Sequence, residues 1–208
     1  MKKILSKFDT MFKNPTCELH YKTPFQLLVA VILSAQCTDK RVNLVTDELF
    51  KTHNKPEDFV LIPLDELEEK IHSCGFYRNK AKAIKSTSLD IVERFDGKVP
   101  SNFDDLTSLA GVGRKTANVI IAEAFKGDAL AVDTHVLRVS NRLGLVDTKD
   151  PNKCEDKLKK IFPKKSWSKL HYQMVLFGRY HCKAIKPQCK ECLFADICKW
   201  TKTNNKKK

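Results

Sequence analysis

A chain of 208 residues and 23.8 kDa is one large domain or two small ones, long enough to bury a core without disulfide staples. A hydrophobic content of 42% excludes a disordered chain, and seven glycines with eight prolines exclude collagen-like, low-complexity and turn-dense all-β sequences. The formal charge of +13 is unevenly held: residues 17–127 carry 15 basic and 16 acidic groups, whereas residues 1–16 and 128–208 carry 23 and 9. Such a distribution suits a polyanionic partner, nucleic acid first, or else a lysine-rich solvated face. The longest apolar run, Leu27–Leu33, is far short of the ~20 residues that span a bilayer. The basic start, Met1–Lys7, has no apolar stretch behind it, so a soluble cytoplasmic protein is expected.

In chain order, the periodicity predicts helices nearly throughout. Pro24–Gln36 is apolar on almost every face, as a buried central helix is. Thr38 caps the next, with Val42, Val45 and Leu49 on one face. Leu64, Leu67, Ile71 and Cys74 form a stripe with Gly75 as its C-terminal cap. Ala81, Ile84, Ser88, Ile91 and Phe95 form another, stopped at Gly97. Ser101 with Asp104 reads as a capping box before Leu106 and Leu109. Arg114–Lys126 and Asp133–Leu143 read as helices, the latter ended by Gly144. Asn152 with Glu155 opens a further one, reaching Phe162, and Trp167–His181 is the last long one. No segment alternates as a strand does. The expected fold is all-α with roughly ten helices, and Thr201–Lys208 reads as a disordered tail.

Residues 106–126 place a short helix, the turn Gly111-Val112-Gly113 and a second helix in immediate succession. The two glycines permit a tight hairpin and a close approach by another backbone, at a helix N-terminus that suits a phosphate. A P-loop needs glycine where Arg114 stands, and a dinucleotide fingerprint needs a third glycine where Thr116 stands. An ordinary interhelical turn remains the plain alternative.

Lys115 lies two residues past the turn. The positive end of the helix, with Arg114 alongside, favours the neutral amine, and partial burial would act in the same direction. A neutral lysine is a nucleophile suited to Schiff-base chemistry; an exposed surface lysine is the plainer reading. Asp133 reads as an N-cap. The helix Lys115–Lys126 would be ~18 Å long, and the stretch Gly127–Val132, if extended, spans ~20 Å. The chain could therefore return and bring Asp133 beside Lys115.

Eight cysteines are present, and four of them follow the spacing Cys182-x6-Cys189-x2-Cys192-x5-Cys198. Four clustered thiolates bind zinc or a [4Fe–4S] cluster; zinc ribbons usually show two close pairs, and only one occurs here. Lys183, Lys186 and Lys190 stud the intervening loops as a basic, phosphate-facing surface.

These segments together resemble the endonuclease III family, bifunctional DNA glycosylases of the helix–hairpin–helix superfamily. The resemblance rests on LLVAVILSAQCTD (27–39), GVGRKTANVI (111–120), AVDTHVLRVSNRLG (131–144) and FGRYHC followed by the cysteine spacing (177–198), in family order. It implies a two-lobed fold, with residues 17–127 carrying the hairpin and residues 1–16 plus 128–208 forming a basic lobe with the cluster loop (182–198). DNA would lie along the cleft between the lobes. The resemblance implies Lys115 as nucleophile at C1′ of an oxidised pyrimidine nucleotide and Asp133 as the catalytic carboxylate. Strand cleavage 3′ to the abasic site would follow by β-elimination. The four cysteines would ligate one [4Fe–4S] cluster. Gln36 would fill the gap left by a flipped base, and Phe76 would wedge into the duplex. Gly111, Gly113, Arg114, His135, Lys186 and Lys190 complete the expected DNA contacts. A monovalent cation would bind main-chain carbonyls of Thr107, Leu109 and Val112. The implied partner is damaged double-stranded DNA, bound by a monomer, with no membrane. Ala110 stands where the family usually has proline, and Cys37 where a small residue is common. A thymine-mismatch glycosylase of the same fold and a non-catalytic DNA-binding module are the alternatives, and Lys115 argues against the first.

Overall fold

The computed structural model describes residues 1–205, with side chains through Thr203. It contains helices α1 (Lys2–Met11), α2 (Pro24–Ser34), α3 (Asp39–Thr52), α4 (Pro56–Leu61), α5 (Leu64–Lys70), α6 (Tyr77–Phe95) and α7 (Phe103–Thr107). Then follow α8 (Arg114–Glu123), α9 (Thr134–Leu143), α10 (Pro151–Ile161), α11 (Trp167–Leu176) and α12 (Lys199–Asn205). There is no strand among the described residues, and no helix among them is long and apolar enough to cross a membrane. The chain divides into two compact units, Glu18–Lys126 and Met1–Cys17 with Gly127–Lys208.

The first unit is built on α2. Phe25 through Leu33 are all buried, so the helix is enclosed on every side as its composition predicts. Thr23 caps it, its hydroxyl accepting from the Gln26 amide at 3.2 Å, with Pro24 pre-set for the first turn. Helices α3, α6 and α8 pack against it, and α4 and α5 pack on α6.

In the second unit, Phe8 of α1 is fully buried against Phe177 and Phe194, with ring centroids 5.7 and 4.6 Å away. Lys3 and Lys7 reach Asp196 at 2.9 and 2.7 Å and hold its carboxyl well below the usual range. The N-terminal helix is thus fastened to the segment that carries the last cysteines.

Several boundaries depart from the sequence reading. The cap before Leu106 is Asn102, not Ser101: its Oδ1 accepts from the Asp105 amide at 2.9 Å and its Nδ2 donates to Asp105 Oδ2 at 2.6 Å. Asp150, not Asn152, opens α10, because its Oδ1 takes the amides of Asn152 and Lys153 while Pro151 supplies the helical φ. Helix α5 ends at Lys70 and a turn follows, yet that turn still buries Ile71 and Cys74. Helix α8 stops at Glu123, and Lys126 takes a left-handed φ of 52°. Beyond Leu176 the chain widens into a π turn over Phe177–His181, closed by the Cys182 amide on Phe177 O at 2.7 Å. The expected disordered tail is helical over its first part. The Lys199 side chain covers Gly144, and Arg142 stacks on Trp200 with 4.7 Å to the ring centroid. The remainder of that tail, residues 206–208, lies outside the described residues.

Candidate active site and cysteine loop

The hairpin joins α7 to α8 through two tight turns, Leu109 N to Leu106 O and Val112 N to Leu109 O, both 3.2 Å. Its two glycines do different things. Gly111 has φ +73°, and a Cβ there would lie 3.0 Å from Ala83 Cβ of α6, so this position needs glycine for conformation and for packing. Gly113 is extended and caps α8, and a Cβ there would meet nothing within 4 Å. It keeps the approach to the helix start clear. Helix α8 has no side-chain cap, and its first bond is Ala117 N to Gly113 O at 2.9 Å. This is a helix start open to an anion. Ala110, in place of the family's proline, is held by its carbonyl, which accepts from Thr87 Oγ1 of α6 at 2.5 Å. Thr107 ends α7, while Leu109 and Val112 lie in the turn itself. Arg114 and Lys115 are the first two residues of α8, and Lys115 is exposed, without the partial burial that the sequence reading allowed for.

In the same unit, Gln36 and Phe76 lie in neighbouring loops. Both are exposed and both are left-handed, at φ 53° and 59°. A Cβ on Gly75 would stand 3.8 Å from Gln36 O, so the loop after α2 and the loop before α6 lie side by side. Non-glycine residues in this region of backbone space store strain, and such strain gathers at functional sites. Beneath them, Lys80 of α6 is buried and its Nζ donates to Leu33 O at 2.8 Å, securing the last turn of α2. Burial pulls the Lys80 ammonium below its ordinary range, opposed by the nearby Cys74 and Cys37 thiols. Sequence reasoning missed Lys80, since one lysine in a mixed helix carries no sign of being buried.

In the other unit, Asp133 is the N-cap of α9, its Oδ1 accepting from the Val136 amide at 2.7 Å. Oδ2 is left outside that cap. His135, Arg138 and Arg142 follow along the same helix. Arg138 donates from Nη2 to Gly178 O at 2.7 Å and from Nε to Cys182 O at 3.1 Å. Its Nη2 is also 3.1 Å from His135 Nδ1. Gly178 must be glycine, because a Cβ there would fall 2.8 Å from His135 Cβ. Arg142 donates to Lys183 O at 2.7 Å, to Ala184 O at 3.0 Å and to the Cys182 sulfur at 3.4 Å. The two arginines therefore fold the first loop of the cysteine segment, a role that no local pattern announces.

Cys182, Cys189, Cys192 and Cys198 line one small cavity together with His181 and Arg142. Burial pushes the Cys192 thiol up, as do the neighbouring Cys182, Cys198 and Cys189; burial likewise raises Cys189. His181 Nε2 faces no hydrogen-bond partner among the described residues although it is buried. No group of three or more metal-ligating side chains among the described residues is gathered tightly enough for a single ion. Lys186, left-handed at φ 50°, and Lys190 are exposed on the loops between the cysteines.

Lys115 thus stands on one unit and Asp133 on the other. An open helix start after a hairpin, two left-handed residues side by side and four cysteines around one cavity define a class. The family model described as the HhH-GPD superfamily base excision DNA repair protein matches residues 29–164. Endonuclease III of Bacillus subtilis (strain 168) is 49% identical over 98% of this chain and 93% of its own length. A solved structure of a non-covalent endonuclease III–DNA complex is 47% identical, with a TM-score of 0.94 over 99% of this chain and 96% of that one. A trapped endonuclease III–DNA covalent intermediate, in an estranged-adenine complex, is 48% identical, with a TM-score of 0.93 over 97% and 95%. The chain belongs to the endonuclease III family of this superfamily, an enzyme of base excision repair with DNA glycosylase and AP lyase activity.

Proposed function

We propose that the substrate is an oxidised pyrimidine in double-stranded DNA and that Lys115 is the nucleophile. The observation that carries this reading is an exposed lysine at the second position of an uncapped helix start, behind a glycine with open space in front of it. The Lys115 Nζ lone pair forms a bond to C1′ while the glycosidic bond breaks and the base departs with its electron pair and a proton. Opening of the sugar gives a Schiff base. Loss of a C2′ proton then expels the 3′ phosphate, cutting the strand 3′ to the abasic site. Asp133 supplies a carboxylate that stabilises developing positive charge or carries a proton. A relative solved as a trapped covalent intermediate with DNA supports chemistry through a protein–DNA bond.

Gln36 and Phe76 serve as a joint probe of the stack, one filling the gap and one wedging, which their shared location and held backbone support. Gly111, Gly113, Arg114, His135, Lys186 and Lys190 meet the phosphate backbone. The carbonyls of Thr107, Leu109 and Val112 hold a monovalent cation at the hairpin. The enzyme acts as a monomer.

The four cysteines hold a [4Fe–4S] cluster. The fit rests on the cavity that all four thiols line and on the buried His181 Nε2 beside it, which has no partner among the described residues. Held by these four cysteines, a cluster would tie down the loop that bears Lys186 and Lys190. Protein prepared anaerobically is expected to be yellow-brown with about four irons per chain. Metal analysis returning one zinc and no iron would reject the cluster.

The DNA contacts are tested by binding and excision measured across a salt series, on an oxidised-pyrimidine duplex and on an undamaged one. Lys186→Ala with Lys190→Ala should flatten the salt slope by up to about one unit per lost phosphate contact, weakening both duplexes alike. Phe76→Ala should leave the slope unchanged and lower excision or the preference for damage. An unchanged slope in the double-lysine variant would mean that these lysines only face solvent.

A further inference from the structure

Four cysteines lie outside the cluster loop, and two of them face one another. Cys37 follows Gln36 in the loop after α2, and Cys74 precedes Gly75 and Phe76 in the loop before α6. Those loops touch at Gly75 and Gln36 O. Each cysteine closes the tight turn at its own end: the Cys37 amide donates to Ser34 O at 3.1 Å and the Cys74 amide to Ile71 O at 2.8 Å. Cys74 is fully buried, whereas Cys37 is partly exposed. The Cys74 thiol is within hydrogen-bonding reach of Cys37, and burial with that neighbour pushes it up to about 11. Lys80 and Arg41 supply positive charge to the pair. This arrangement holds a reachable sulfur against a sealed one.

We propose that Cys37 and Cys74 form a reversible disulfide under hydroperoxide, tying together the loops that carry Gln36 and Phe76. The Cys37 thiolate attacks a peroxide oxygen, an S–O bond forms, the O–O bond breaks, and the departing hydroxide takes a proton to become water. The Cys74 sulfur then attacks the Cys37 sulfenic acid. The S–S bond forms, the S–O bond breaks, and hydroxide leaves with the Cys74 proton as a second water. Two thiols and one peroxide give one disulfide and two waters. Cys37 is the site of first oxidation because it is the more accessible partner, and Cys74 resolves it because its thiol is within hydrogen-bonding reach. The bond needs nothing from the assignment of the loops to DNA; its effect on excision rests on that reading. A tether between two left-handed loops restrains the movement with which Gln36 and Phe76 would enter a stack.

The test uses the purified holoprotein, treated with hydrogen peroxide, blocked with N-ethylmaleimide and digested with trypsin. Cleavage after Lys40, Lys70 and Arg78 separates the Cys37 peptide from Ile71–Arg78, which carries Cys74. The expected product is one linked species, lighter than the two peptides by two hydrogen atoms and split by dithiothreitol. Excision should fall about tenfold on oxidation, a loss within the range that small misplacements cause, and recover with dithiothreitol. Cluster absorbance followed in parallel separates this from cluster damage. Cys37→Ala, given the same treatment, should keep its excision. Recovery of Cys37 and Cys74 only as separate blocked or over-oxidised peptides overturns the disulfide. A linked product in wild type with equal loss of excision in Cys37→Ala overturns its control of excision and leaves the bond standing.

Discussion

Lys115→Gln is expected to abolish the covalent adduct that borohydride traps on damaged DNA and to lower strand cleavage by at least about 10³-fold. Folding and DNA binding should be nearly unchanged. Lys115 is exposed, so removing its amine empties no cavity and breaks no buried bond. A cation at the second position of a helix is opposed by the helix dipole, so a neutral amide there is neutral or helpful by a few tenths of a kcal/mol. The measurement is adduct yield on a denaturing gel, beside a binding isotherm for the same duplex. A variant that forms the adduct at wild-type yield would remove Lys115 from the chemistry. A variant that loses binding and adduct together would make it a phosphate contact instead.

Asp133→Asn should fold, bind damaged DNA and lose excision by about 10²–10³-fold. The prediction is sharp because Asp133 has two roles that separate by substitution. As N-cap its Oδ1 accepts from the Val136 amide at 2.7 Å, and an asparagine oxygen does that equally well. The negative charge is what the amide lacks. Asp133→Ala is the control: it loses the cap as well, at about 1 kcal/mol of stability. If Asn and Ala variants lose the same thermal stability and excision follows stability alone, the carboxylate is structural.

Either outcome bears on unit-scale electrostatics too. The unit Glu18–Lys126 has a net charge of −1, whereas the other unit carries the whole excess, +14. The open helix start at Gly113 lies on the near-neutral unit, so its attraction for a phosphate is local, set by oriented amides rather than by net charge. Cationic steering of DNA is expected instead from the unit that carries the +14 excess. Raising the salt concentration should therefore weaken binding with little change in the chemical step.

Features that depend on a short stretch of chain were legible in the sequence. The apolar run of α2 can only be buried, whatever surrounds it, and all of Phe25–Leu33 is buried. A spacing of 3.6 residues makes an amphipathic face, so most of the long helices lay where the periodicity predicts. Gly144 and Asp133 mark their helix ends because capping is settled within one turn of backbone. Even α1 was readable in principle, since Ile4, Leu5, Phe8 and Met11 share a helical face. The clustering of four cysteines within 17 residues was legible too, and all four line one cavity. Features that join distant segments were decided only by tertiary packing. Nothing near Lys80 signals that it will be buried against Leu33 O, and nothing in α9 signals that Arg138 and Arg142 will hold the backbone around Cys182. The strictness of Gly178 comes from His135, 43 positions away in the chain. The tail became a helix because Gly144 and Arg142 give Lys199 and Trp200 a surface to cover. Likewise, the loop with Gln36 and Cys37 lies beside the loop with Cys74, Gly75 and Phe76 because α2 and α6 pack side by side. A sequence specifies which residues can form a helix face or a cap within a few bonds; which faces meet is set by the packing of the whole core.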